Sequence, residues 1–95
     1  MTLEWDESKR QSNLRKHGLD FTNAADVLES HYRMDLPIER GRELRVQSFS
    51  YVMDRLAVLT LVHMERSDRV RIISFRYASD EESEVYFDWL QQDDE

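Results

Sequence analysis

The chain of 95 residues has no cysteine, a single proline and only two glycines. Without cysteine it can form no disulfide, no thiolate metal site and no cysteine nucleophile, as is common in a reducing compartment. Two isolated glycines cannot build a glycine-rich phosphate loop, which argues against P-loop or dinucleotide-binding chemistry. The three histidines show no metal-ligand spacing. We therefore expect neither a metal nor a cofactor.

Long hydrophobic runs are also missing. The longest, LAVLTLV at 56–62, is far too short to cross a bilayer, and the first ten residues contain no apolar segment typical of a signal peptide. These features predict a soluble, cytoplasmic protein that makes no membrane contact. The length predicts one domain over residues 1–95, and an aromatic content of 11% predicts a folded core although 35% of the residues are charged.

Charge is distributed unevenly along the chain, whose formal net charge is −7. All 13 Lys and Arg residues lie at or before Arg76, whereas the segment from Ala78 onward carries acids and no base. An asymmetry of this kind often marks a face or tail with its own role. The body of the domain is therefore near neutral, and its last segment is strongly acidic.

The pattern of apolar residues predicts an α+β fold in which helices flank a small antiparallel sheet. Asp6 and Gly18 are suitable caps for a first helix, whose last turn carries three cations. Thr22 is predicted to begin a second helix of about two turns. The segment 31–42 contains the only proline and is predicted to be a connection or a short edge segment.

Three main strands are predicted next, at 43–51, 55–64 and 68–78, in addition to a short strand before the first helix. Short connections predict that the three strands form an antiparallel meander. Strict alternation in the third strand places four residues on one face: Val70, Ile72, Ser74 and Arg76. Ser79 and Glu82 match a capping box, which predicts a last helix over about 80–91.

The candidate functional residues are Arg76 and the cations that end the first helix, Arg15, Lys16 and His17. Two interpretations of Arg76 stay open. It is either a solvated strand-end arginine with its stem over apolar neighbours, or one of several cations that converge on a phosphate. His17 alone is explained by the negative end of the helix dipole.

Two motifs resemble a known family. The frame W-D-x-x-K…N-x-x-K-H-G-h-x-F, in which h is aliphatic, is present as Trp5, Asp6, Lys9, Asn13, Lys16, His17, Gly18, Leu19 and Phe21. The frame R-I-I-S-A-R-x-A is present as Arg71, Ile72, Ile73, Ser74, Arg76 and Ala78, with Phe75 in place of the usual small residue. In this order the motifs resemble the BrnT family of small bacterial toxins. The resemblance implies a RelE-like ribonuclease fold and the toxin half of a type II toxin–antitoxin pair, which cleaves RNA and arrests translation.

The resemblance also implies a partner and site residues. The partner is a cognate ribbon–helix–helix antitoxin, BrnA-like and encoded beside the toxin, which binds DNA and holds the toxin inactive in a hetero-oligomer. The toxin itself is not expected to bind DNA directly. Lys16 and Arg76 are predicted to stabilise the phosphate and His17 to transfer a proton, without a metal. Further contacts to RNA are predicted for Arg15, Arg71 and Tyr77.

The segment after Arg76 departs from the family pattern, which is basic there. Tyr77 stands where a cation is common, and acids including Asp80, Glu81 and Glu84 replace the basic run. Because carboxylates repel the phosphate backbone, the alternative is a catalytically weakened BrnT-like protein that acts as an antitoxin-binding, regulatory module. A basic antitoxin is expected to contact the acids of the last helix: Glu81, Glu84 and Asp88.

Overall fold

The computed structural model describes residues 2–92. The strands are β1 (Thr2–Glu4), β2 (Met34–Arg40), β3 (Glu43–Val52), β4 (Ala57–Arg66) and β5 (Arg69–Tyr77). The helices are α1 (Glu7–His17), α2 (Ala25–Leu28) and α3 (Asp80–Gln92), with 3₁₀ turns at Phe21–Asn23 and Met53–Arg55. The last three acids of the acidic segment, at 93–95, lie outside the described residues.

The strands form one mixed sheet in the order β1-β5-β4-β3-β2, in which β1 pairs parallel to β5 and the other neighbours are antiparallel. The α+β class and the antiparallel meander of β3, β4 and β5 are confirmed. The prediction of only three main strands is wrong, because β2 is a full strand of seven residues. Pro37 is tolerated in β2 because this strand lies at the edge of the sheet, where proline is found most often in sheets.

The first helix is confirmed and the second is shorter than predicted. The Asp6 carboxylate accepts hydrogen bonds from the backbone N–H groups of Ser8 and Lys9, and Gly18 ends α1 with a φ of 70°. Thr22 is not the cap of the next helix. Its backbone N–H instead donates to Asp20, which begins a 3₁₀ turn, so that α2 itself has four residues. None of the helices within residues 2–92 has the length and apolarity needed to cross a membrane.

The two faces of the sheet are covered differently. The inner face, which carries Leu59, Leu61 and Phe75, packs under the region of α1 and α2, where Phe21 and Val27 are fully buried. The α3 face, on the other side, packs against α3. There Tyr86 is fully buried against the cluster formed by Met34, Phe49 and Val58. The Tyr86 hydroxyl donates to the Tyr32 carbonyl at 2.7 Å, which ties α3 to the start of β2.

A β-bulge in β5 decides which face carries Arg76. Val62 of β4 pairs with Ser74, but the next residue, His63, pairs with Ile72, so Ile73 is left without a partner. The extra residue shifts the alternation by one position. Ile72 therefore shares the inner face with Phe75, whereas Ser74 and Arg76 lie on the α3 face. The prediction that Arg76 shares a face with Val70 and Ile72 is wrong, because strict alternation does not pass through a bulge.

Candidate active site

Arg76 is held by a two-pronged ion pair with Glu82 at the start of α3. Its two terminal nitrogens donate to the two Glu82 oxygens at 2.8 and 2.9 Å. Glu82 also accepts the Ser79 backbone N–H at 2.8 Å, and the Ser79 hydroxyl accepts the Glu82 N–H at 3.1 Å, so the capping box is confirmed. The guanidinium of Arg76 lowers the pKa of Glu82 to about 2, so this carboxylate is ionised at neutral pH.

An open depression of about 340 Å³ lies beside Arg76 on the part of the α3 face that α3 leaves uncovered. Three of its residues are arginines contributed by β2, β3 and β5. Arg45 pairs with Glu43 at 2.8 Å, whereas Arg40 makes no ion pair within the described part of the chain. The full lining consists of Ile38, Arg40, Arg45, Gln47, Val62, Ile73, Ser74 and Arg76. We call it the arginine depression.

A second depression, of about 220 Å³, lies between α1 and the bulge of β5. Its lining consists of Lys9, Ser12, Asn13, Lys16, His17, Ile73 and Ser74. Positions 9, 13 and 16 follow the 3.6-residue repeat, so one face of α1 supplies the two lysines. Ile73 and Ser74 line both depressions, and the cations of α1 therefore lie on one side of this pair while Arg76 lies on the other.

Asn13 fixes the distance between α1 and β5. Its side chain, 7% exposed, accepts the Phe75 N–H at 3.1 Å and donates to the Phe75 carbonyl at 2.7 Å and to the Leu19 carbonyl at 3.0 Å. The paired part of β1 ends opposite Arg71, so within residues 2–92 the stretch of β5 around Phe75 has no neighbouring strand on that side. The amide of Asn13 thus replaces a strand and places Lys16 and His17 one turn farther along α1. The motif match contained Asn13, but the sequence alone gave it no role.

The structure places the remaining predicted RNA contacts apart from these depressions. Arg15 is exposed and lines neither of them. Arg71 lies on the α3 face, like Ser74, because its partner in β4 is Met64. It nevertheless lines neither depression. Tyr77 pairs with Leu59 and therefore lies on the inner face with Phe75, which is the opposite face from Arg76. Contacts of these residues with RNA stay predictions.

The acids predicted to bind the antitoxin lie on one exposed stripe of α3. Glu81, Glu84 and Asp88 are all exposed, and their spacing of three and four residues places them on one side of the helix. Val85 belongs to the same stripe and is 55% exposed. This face of α3 is therefore turned toward solvent and is acidic around one apolar side chain.

A serine–histidine pair that sequence reasoning missed lies under the inner face. Ser48 and His63 are fully buried, with 2.8 Å between Ser48 Oγ and His63 Nε2. The Ser48 hydroxyl donates its proton to Asp35 at 2.6 Å, so the proton between Ser48 and His63 is carried by His63 Nε2. The other ring nitrogen, Nδ1, has no hydrogen-bond partner in the described part of the chain. Burial lowers the pKa of His63 below its ordinary 6.5. A buried serine cannot meet a substrate, so the pair belongs to the core.

Comparison with known families decides the identity. A family model described as "Ribonuclease toxin, BrnT, of type II toxin-antitoxin system" matches residues 5–82. The chain belongs to this family. Membership in the BrnT family makes it a toxin-type chain for which an antitoxin partner is implied, and the matched range includes Lys16, His17, Arg76 and Glu82. Glu84 and Asp88 lie beyond the match. A comparison with curated proteins gives no match.

No ligand group for a metal ion is present among residues 2–92, where no three His, Cys, Asp or Glu side chains come together. The side chains around Ile73 and Ser74 include cations, which carry positive charge, and hydroxyls, which can donate hydrogen bonds. An arrangement of this kind binds an anion with oxygen acceptors, such as a phosphodiester.

Proposed function

We propose that this BrnT-family protein is a metal-independent endoribonuclease that cleaves RNA in the cytoplasm and thereby arrests translation. One observation carries the proposal. Lys16 and His17 on α1 and Arg76 on β5 flank the Ile73–Ser74 pair on an open part of the sheet, where the two depressions meet. A phosphodiester seated over this pair has cations on both sides.

The reaction needs little beyond these groups. The 2′-hydroxyl of the RNA attacks the adjacent phosphorus, so an O2′–P bond forms, the P–O5′ bond breaks, and a 2′,3′-cyclic phosphate and a 5′-hydroxyl result. A base removes the 2′ proton and an acid protonates the leaving 5′ oxygen. Positive charge stabilises the crowded phosphorane. We assign this stabilisation to Lys16 and Arg76.

His17 is the best candidate for proton transfer, because an imidazole ring nitrogen can both accept and donate a proton. Glu82 is unsuited to act as a general acid, because a carboxyl group with a pKa of about 2 holds no proton at neutral pH. Its role is to orient Arg76. The two-pronged contact fixes the plane of the guanidinium while 35% of the Arg76 side chain stays exposed and can contact a phosphate.

The partner side of the proposal follows the family. A ribbon–helix–helix antitoxin binds the toxin in a hetero-oligomer, blocks cleavage and carries the DNA-binding function of the complex. The charge of α3 supports the assignment of DNA binding to the antitoxin. The described part of this helix contains five acids and no base, which is unfavourable for direct contact with DNA.

The test is cleavage of a long single-stranded RNA by purified protein at low salt in the presence of EDTA. An Arg76→Ala variant with an unchanged circular dichroism spectrum is the control. We expect fragments that carry cyclic phosphate ends from the native protein and none from the variant. Absence of cleavage by the native protein, or equal cleavage by both, would contradict the proposal.

One observation favours a second function: two arginines of the site already form ion pairs with carboxylates of this chain. Arg76 pairs with Glu82 and Arg45 with Glu43, each at 2.8 Å. In this alternative the protein has little nuclease activity, and its function is to bind the antitoxin as a regulatory module. Tight antitoxin binding without RNA cleavage or RNA binding would select it over the ribonuclease.

A further inference from the structure

A groove of about 260 Å³ separates α3 from the edge strand β2. Two apolar side chains of its lining are left in solvent, since Leu36 is 42% and Val85 55% exposed. Met34 and Phe49 form buried parts of the same lining. The groove is therefore apolar at its base and open to an additional side chain between β2 and α3.

The rim of this groove on α3 is acidic. Glu81 lines the groove, and Glu84 and Asp88 lie on the same exposed stripe as Val85. An apolar side chain flanked by Lys or Arg residues complements such a surface. Two copies joined symmetrically through this groove do not complement each other, because each stripe of α3 would bring the same carboxylates to the contact.

The outer edge of β2 disfavours docking by strand addition. β2 is the last strand of the sheet, and Pro37 near its middle has no N–H group. A proline interrupts the row of backbone donors that an added strand needs. An occupant of this region is therefore held by side chains in the groove rather than by a continuous ladder.

The groove is continuous with the candidate active site. Gln47 lines both the groove and the arginine depression, and its amide donates to Thr60 at 3.1 Å. Along β2, Leu36 faces the groove and Ile38 faces the depression. A chain segment that occupies the groove and continues along β2 would therefore cover the part of the arginine depression lined by Arg40 and Arg45.

We propose that the antitoxin docks in this groove through a segment that carries an apolar side chain flanked by Lys or Arg. The occupied groove places the continuing chain over the arginine depression and excludes RNA from it. This inference rests on the proposed function, since it assigns the position of the antitoxin and the way it blocks cleavage.

The experiment uses the purified full chain and its purified cognate antitoxin, titrated by calorimetry. Val85→Glu and the triple reversal of Glu81, Glu84 and Asp88 to Lys alter the groove and its rim. Leu44→Glu is the matched control, because Leu44 is 67% exposed on the other face of the sheet. Each variant is first checked for a native circular dichroism spectrum and melting temperature.

We expect both groove variants to bind about tenfold or more weakly and Leu44→Glu to bind as the native chain does. Val85→Glu should still cleave RNA and should resist inhibition. Equal affinity for all four proteins, or no binding by the native chain, would overturn the docking site. If the native chain binds the partner but cleaves no RNA, the ribonuclease proposal fails, while the comparison of affinities still decides the docking site.

Discussion

The side chain of Asn13 pairs with the backbone of Phe75 as a neighbouring strand would, through an accepted N–H at 3.1 Å and a donated bond to the carbonyl at 2.7 Å. This contact joins the helix that carries Lys16 and His17 to the strand that carries Arg76. The geometry of the candidate active site therefore depends on one buried amide.

Replacing Asn13 by Asp should both destabilise the fold and misplace the site. The carboxylate keeps the acceptor for the Phe75 N–H but faces two carbonyl oxygens where the amide donated. Leaving buried polar groups unpaired costs about 1–3 kcal/mol each, so we expect a loss of at least about 2 kcal/mol in urea unfolding. Gln11→Ala on the exposed side of α1 is the control. An unchanged midpoint for Asn13→Asp would contradict this role.

The ion pair between Arg76 and Glu82 should appear in the pH dependence of stability. The pKa of Glu82 is lowered from 4.5 to about 2 in the folded chain, so the unfolded chain binds more protons between these values. Stability from this group is complete above pH 4.5 and is lost as the pH falls toward 2. Glu82→Gln should therefore flatten the rise in unfolding free energy between pH 2 and 5. The control is Glu81→Gln, and equal slopes in all three proteins would refute the pair.

Arg40 should contribute to RNA affinity through its charge. It lines the arginine depression and makes no ion pair among residues 2–92. Each phosphate neutralised on a single strand contributes a slope of about 0.7 to the salt dependence of binding, so Arg40→Ala should reduce the slope by about that amount. Arg15→Ala, which alters an exposed residue outside both depressions, should change it less. Identical slopes for Arg40→Ala and the native protein would remove Arg40 from the RNA surface.

His17 should matter for proton transfer rather than for binding. His17→Gln keeps a polar side chain of similar length but cannot carry a proton near neutral pH, and general acid–base groups contribute about 10²–10⁴-fold. We expect single-turnover cleavage to fall by about tenfold or more, with RNA affinity preserved. Undiminished cleavage would exclude His17 from the mechanism.

Much of the fold could be predicted because local signals coincide with tertiary structure. Asp6 and Gly18 mark the ends of α1, and the pair Ser79 and Glu82 marks the start of α3. The segment of β2 was predicted only as a connection or a short edge segment because Pro37 and Gly41 are typical of a connection, whereas an edge strand tolerates proline. The predicted cap Thr22 is wrong because its backbone N–H donates to the Asp20 carboxylate, a hydrogen bond that only the structure shows.

The site was predictable in composition but not in arrangement. The motifs identify Lys16, His17 and Arg76, yet the bulge at Ile73 determines the face on which Arg76 lies. One signal was present, since two isoleucines in succession interrupt the alternation of β5. Arg40 and Arg45 were missed because they join Arg76 only through the register of the sheet. Ser48 and His63 likewise meet only through pairing of β3 with β4.

The central claim is that the cations of α1 and β5 act on one phosphate across the Ile73–Ser74 pair. A double-mutant cycle of single-turnover RNA cleavage with Lys16→Ala, Arg76→Ala and the combined variant tests it directly. Residues that act as a unit on one transition state are strongly non-additive, so the combined loss should be far smaller than the product of the two single losses. Fully multiplicative losses, or no loss in either single variant, would contradict the account.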